Sequence, residues 1–171
     1  FAANDLYRLD LWYWECNRTW HTDRWTDDWE QQGHGYEWST GALMSTTGYV
    51  KTMWLNTYKA ITRCNAIIAN VEKQRGKLSE KQLDRFEGEA RMFRACFYSY
   101  LTFLYGDIPY YTDYITIDQA YAMGREKQSE VIKRIYEDFD KAAELLPETS
   151  TGNVRVKKAT AHAFKARTAS W

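Results

Sequence analysis

Between positions 48 and 105 the apolar residues recur every three or four places, not every two. Val50, Trp54, Tyr58, Ile61, Cys64, Ile68 and Val71 fall on one helical face, and Gly76 ends that pattern. Ser79 opens a second helix, with Gln82 three residues on in a capping-box arrangement. Its stripe is Leu83, Phe86, Ala90, Phe93, Phe97, Leu101 and Leu104, and Gly106 with Pro109 beyond it stops the helix. Two long amphipathic helices joined by a short turn predict an antiparallel pair, Gly48–Gln74 against Ser79–Tyr105. Tyr58, Ile61, Phe93 and Phe97 are expected at the seam.

The stretch "YYTDYITIDQAYAMGREKQ" has no sustained period and reads as a long connection. A third helix, Ser129 to Leu146, is expected to bury Ile132, Ile135, Phe139, Ala142 and Leu146 before Pro147 closes it. A fourth begins near Lys157. Its small residues Ala159, Ala161, Ala163 and Ala166 would let a neighbouring helix approach closely. No C-cap signal precedes Trp171, so the chain reads as cut within that helix. Residues 1 to about 45 read as loop apart from a short helical pattern around Asp5 to Trp14.

The predicted class is all-α, with tetratricopeptide-like helix hairpins at about 48–105 and 129–171 and a long aromatic loop region before them. The whole chain, 1–171, is expected to be the N-terminal part of one incomplete domain. The repeat of about 34 residues typical of tetratricopeptides is absent, because residues 106–128 separate the two pairs.

Composition changes this picture in two ways. Aromatic residues make up 16% of the chain, with eight Trp and thirteen Tyr, the side chains that serve both cores and binding surfaces. Lys plus Arg equals Asp plus Glu at 23 each, so no net field favours nucleic acid or an anionic membrane. No apolar run approaches the roughly 20 residues of a membrane-spanning helix. "FAANDLYRLD" lacks a basic segment followed by an apolar one, so the chain is expected to be cytosolic or a mature or trimmed piece. Cys16, Cys64 and Cys96 lack metal-ligand spacing and are expected to be buried free thiols.

"GEARMFRACFYSYLTFLYGDIPYYT", Gly88 to Thr112, resembles the most distinctive stretch of the SusD/RagB family. That family writes Gly-Glu-Ala-Arg, then Arg-Ala, an aromatic helix and Gly-Asp-(Ile/Val)-Pro. "YKAITRCNAIIANV", "GREKQSEVIKRIYEDFDKAAELLP" and "GNVRVKKATAHAFKART" are similar to three further family blocks, in the same order. Together they cover about residues 49 to 168. Val156-Lys157 departs from the more usual Thr-Lys. The resemblance implies an outer-membrane, surface-exposed lipoprotein of tetratricopeptide-like helix pairs. Such a protein captures oligosaccharides or polysaccharides without catalysis and needs no cofactor. It delivers them to a SusC-like TonB-dependent transporter, and its membrane attachment is a lipid anchor. The export signal, the lipidated cysteine and the C-terminal half are expected to lie outside this chain.

Against that background "WHTDRWTDDWEQQGHGYEW" becomes informative. A pyranose ring has an apolar face of C–H groups and a belt of hydroxyls. Indoles offer a flat platform with little side-chain entropy to lose, and Asp, Arg and Glu supply acceptors and donors to the belt. The candidate glycan contacts are Trp20, Asp23, Arg24, Trp25, Asp28, Trp29, Tyr36 and Trp38. The competing structural reading has the same indoles pinning a loop onto the scaffold. A glycosidase pair among Asp23, Asp27, Asp28 and Glu30 needs a set carboxyl separation across a rigid cleft, which the sequence does not specify. A metal at His21, Asp23 and His34 has no strong ligand spacing behind it. Glu89, Arg91 and Arg94, with Arg63 and Asn65 on the preceding helix, are expected to form an interhelical ion-pair network and not an anion site. The alternative function is a tetratricopeptide-type protein-interaction module, and an α-helical glycoside hydrolase is a third possibility.

Overall fold

The structure is a computed structural model that describes residues 41, 42, 44, 48–149 and 155–171. Among the described residues five helices follow one another: α1 (Gly48–Gln74), α2 (Glu80–Tyr105), α3 (Ile117–Ala122), α4 (Gln128–Leu145) and α5 (Lys158–Ala169). No strand occurs among the described residues, only an isolated antiparallel bridge between Ile108 and Glu126. The fold class is therefore all-α, as the spacing predicts.

α1 and α2 form the expected antiparallel pair. At one end Gly76, at φ +76°, turns the chain between them. At the other, the Tyr105 hydroxyl at the end of α2 donates to the Val50 carbonyl at the start of α1, at 2.7 Å. Ile61, Phe93 and Phe97 are fully buried and Tyr58 is half-buried. α4 packs on the other side of α2, and α5 packs on α4. This sandwiching explains why α2 is buried on nearly all its circumference from Glu87 to Thr102. Gly88 makes the α2–α4 approach possible: a Cβ there would lie 3.0 Å from Leu146 Cγ and 3.1 Å from Leu145 Cβ.

Several local expectations are corrected. The Ser79 side chain makes no capping hydrogen bond, so the predicted box does not form there; the Gln82 and Leu83 N–H groups donate to the Ser79 carbonyl, and Glu80 accepts the Gly76 N–H instead. A box does form inside the supposedly structureless connection. Thr116 accepts from the Gln119 backbone, and the Gln119 side chain accepts in return, starting α3. In α4 the fully buried positions include Val131, while Ile132 is only half-buried. Of the four alanines expected to receive a neighbouring helix, Ala161 alone is buried; Ala159, Ala163 and Ala166 face solvent, so they do not receive a helix within the described residues.

Candidate functional site

The eight predicted glycan contacts, Trp20, Asp23, Arg24, Trp25, Asp28, Trp29, Tyr36 and Trp38, lie outside the described residues, as do Cys16, His21 and His34. What the structure does describe is the scaffold next to them in sequence, together with the segment that α1 and α2 hold in place.

The predicted charge network exists and is wider than expected. Arg94, 3% exposed, donates to both oxygens of Asp138 on α4 at 2.7 Å and to Asn65 Oδ1 on α1 at 2.9 Å. Arg91 links Glu87 at 2.7 Å to Asp138 at 3.0 Å, and Arg75 reaches Glu87 from the end of α1. Glu89, fully buried, is held by Arg85 and by Arg155. Arg63 is exposed and takes no part in this network among the described residues, a correction to the expected set. Each buried carboxylate thus has cationic partners, which is the condition for its survival in a low-dielectric interior. Asp138 and Glu87 were not singled out from the sequence. Asp138 sits beside Phe139 on the inward face of α4, where a carboxylate in an apolar stripe was the available signal.

Asn65 of this network, together with Tyr58 and Tyr98, pins the chain that leaves α2. Gly106 adopts φ +68°, which a residue without Cβ reaches at low cost. Ile108 and Glu126 then exchange backbone hydrogen bonds at 3.2 and 2.9 Å, closing residues 109–125 into a loop. Tyr58 donates to the Pro109 carbonyl at 2.7 Å. The Tyr98 hydroxyl donates to the Tyr111 carbonyl at 2.7 Å and accepts the Tyr111 N–H at 2.9 Å. Asn65 donates to the carbonyls of Tyr111 and Asp113, both at 3.3 Å. Burial pushes the Tyr98 phenol well above its usual range, so it stays protonated and keeps both roles. Burial likewise raises Tyr58 and the Cys64 thiol. Cys64 and Cys96 are both buried, as expected. The outer part of the loop carries Tyr114 and Tyr121 in solvent.

Chemically, this is a scaffold that fixes backbone. Glu87, Glu89 and Asp138 are each engaged by arginines, and among the described residues no group of three His, Cys, Asp or Glu is placed to hold a metal. No helix of the described chain is long and apolar enough to cross a membrane.

A helix pair of this kind, with a Gly-Asp-Ile-Pro exit tied back by Tyr58, Asn65 and Tyr98, defines a class of tetratricopeptide-like scaffolds that present loops. The chain belongs to the SusD-like family: residues 8–169 match the family model described as starch-binding, associating with outer membrane. A SusD-like protein of Formosa agariphila is 32% identical over 123 residues, 70% of this chain and 23% of the relative. A SusD-like carbohydrate-binding protein of Bacteroides fragilis superposes with a TM-score of 0.71 at 26% identity, covering 80% of this chain and 28% of that one. A laminarin-binding SusD-like protein shares the fold, with a TM-score of 0.71 at 21% identity over 77% of this chain and 28% of its own. The chain spans less than a third of the length of each of these relatives.

Proposed function

We propose that this chain is the N-terminal scaffold of a surface glycan-capture protein, which binds oligosaccharide or polysaccharide and transforms nothing. It hands the glycan to a TonB-dependent outer-membrane transporter and is itself tethered to the outer membrane by a lipid anchor. The observation that supports the reading most is the family match along 8–169, in a family described as starch-binding and outer-membrane associated. The carbohydrate-binding and laminarin-binding relatives of the same fold agree with it. The glycan contacts of this part of the chain are the loop residues Trp20, Asp23, Arg24, Trp25, Asp28, Trp29, Tyr36 and Trp38, indoles for stacking and charged groups for hydroxyls.

The test is calorimetry of the full-length protein against a panel of neutral polysaccharides. Burying one indole face on a sugar is worth about 1–2 kcal/mol at ~25 cal/mol per Å². Trp25→Ala or Trp29→Ala should therefore weaken binding roughly tenfold. Unchanged affinity after single truncation of Trp20, Trp25, Trp29 and Trp38, in folded protein, would remove the loop from the site. Product formation from a bound glycan would overturn the non-catalytic reading.

A further inference from the structure

A hollow of about 490 Å³ lies between α2 and α4, walled by Tyr110 and Thr112 of the pinned segment. That is the size range of small-ligand sites. Its base is the Arg94–Asp138 pair, already satisfied: Asp138 receives three N–H bonds, from Arg91 and Arg94. The rim is another matter. Arg91, Arg134 and Lys141 stand there against the single carboxylate of Glu137. Arg134, Glu137 and Lys141 are three and four residues apart, so α4 sets them on one face.

Two of these cations, Arg134 and Lys141, are held only by exposed pairs, whereas Arg91 is committed to Glu87 and Asp138. Arg134 pairs with Glu126 at 3.1 Å and Lys141 with Glu144 at 2.8 Å, and in both pairs each partner is at least about a third exposed. Exposed pairs of this kind contribute only about 0–1 kcal/mol, so redirecting either cation to a ligand costs little. Arg134 is also held in place, with its guanidinium 4.9 Å from the Tyr110 ring centroid. The Tyr110 hydroxyl, pushed up to about 12 chiefly by burial, remains neutral and adds no competing negative charge.

A neutral sugar is held by stacking on an open aromatic face. Among the described residues the one ring lining this hollow, Tyr110, is already engaged by Tyr98 at 4.5 Å and by Arg134. What the hollow offers instead is fixed positive charge and a planar guanidinium fork suited to an oxyanion. The geometry points to a second glycan subsite here, one that takes the carboxylate or sulfate of an acidic sugar residue on Arg134 and Lys141. This rests on the glycan-capture reading and extends it to charged polysaccharides.

The experiment is calorimetry of the full-length protein with an oligogalacturonide, a sulfated oligosaccharide and a neutral oligosaccharide, at low and at high salt. The variant is Arg134→Gln/Lys141→Gln, which leaves the buried network intact; its melting temperature is checked first, and Lys141→Glu is the second variant. Expected is binding of at least one acidic oligomer that weakens with salt and falls tenfold or more in the double variant. Neutral binding should not change. The carboxylate and sulfate arms tell the two oxyanions apart. If the wild type binds the neutral glycan but neither acidic one, or the double variant retains acidic binding, this inference fails and the glycan-capture reading survives. Equal loss of neutral and acidic binding in the folded variant would also overturn it. If the wild type binds no glycan of any kind, both fall.

Discussion

Asp107, just past the end of α2, accepts the backbone N–H of Gln128 through its Oδ1 at 2.9 Å, and Gln128 is the first residue of α4. Lys127, in the capping position of α4, makes no side-chain capping bond. A carboxylate 21 residues upstream therefore does the capping, and its charge sits at the positive end of the helix. Asp107→Ala is expected to cost about 1 kcal/mol, and Asp107→Asn less. Thermal denaturation of the full-length protein checks this; an Asp107→Ala midpoint equal to wild type would mean that water caps α4 equally well.

Gly88 sits where a side chain would press on Leu145 and Leu146. Alanine gains up to about 1 kcal/mol of helix propensity, but overpacking typically costs about 1–3 kcal/mol. Gly88→Ala should be mildly destabilising and Gly88→Val clearly worse, measured by denaturant midpoints. A Gly88→Ala protein more stable than wild type would mean that Leu146 swings aside.

Arg94 and Asp138 form a buried pair across α2 and α4. Arg94→Met strands part of a buried negative charge and is expected to cost about 3–5 kcal/mol. Arg94→Met/Asp138→Leu should recover a large part of that, because two apolar side chains of similar volume need no partner. A double-mutant cycle with no coupling would refute the pairing as an energetic unit.

Tyr98, Tyr58 and Tyr110 all have phenols raised by burial above the ordinary value of 10.0. Above about pH 10 the unfolded chain loses these protons while the folded chain keeps them, so stability falls as pH rises. Their contribution is complete below pH 10 and is lost as pH climbs through the folded values. Unfolding followed from pH 8 to 11 should show this alkaline decline, and Tyr98→Phe should make it shallower. A decline unaffected by Tyr98→Phe would take Tyr98 out of the linkage.

Much of the fold was legible because α1, α2 and α4 carry apolar stripes at helical spacing and end at Gly76, Gly106 and Pro147. The misses have physical reasons. Thr116 and Gln119 spell the same capping signature as Ser79 and Gln82, yet only the former pair forms the box, since cap geometry depends on how the chain enters the helix. Glu87 and Asp138 are charged residues at inward positions, and their partners come from other helices. Ala159, Ala161, Ala163 and Ala166 signal close packing in sequence, but whether a neighbour uses them is a property of tertiary arrangement, and three of these four remain exposed. Of the binding site, a sequence gives residue types suited to sugars; it does not give the mutual orientation of indoles that decides which ones stack.

The clamp between Ile108 and Glu126 has an evolutionary consequence. Because the backbone closes on itself there, with Tyr58, Asn65 and Tyr98 securing its first residues and Arg125 its last, against Trp54 and the Asp107 carbonyl, the stretch between Asp113 and Arg125 is a side branch of the helical stack. Doubling the length of such a branch costs only about 0.6 kcal/mol of closure entropy. The outer part of the loop, Tyr114 and Tyr121 included, is thus an interchangeable cassette. Lineages can lengthen it, trim it or re-letter it while every helix contact beneath stays as it was.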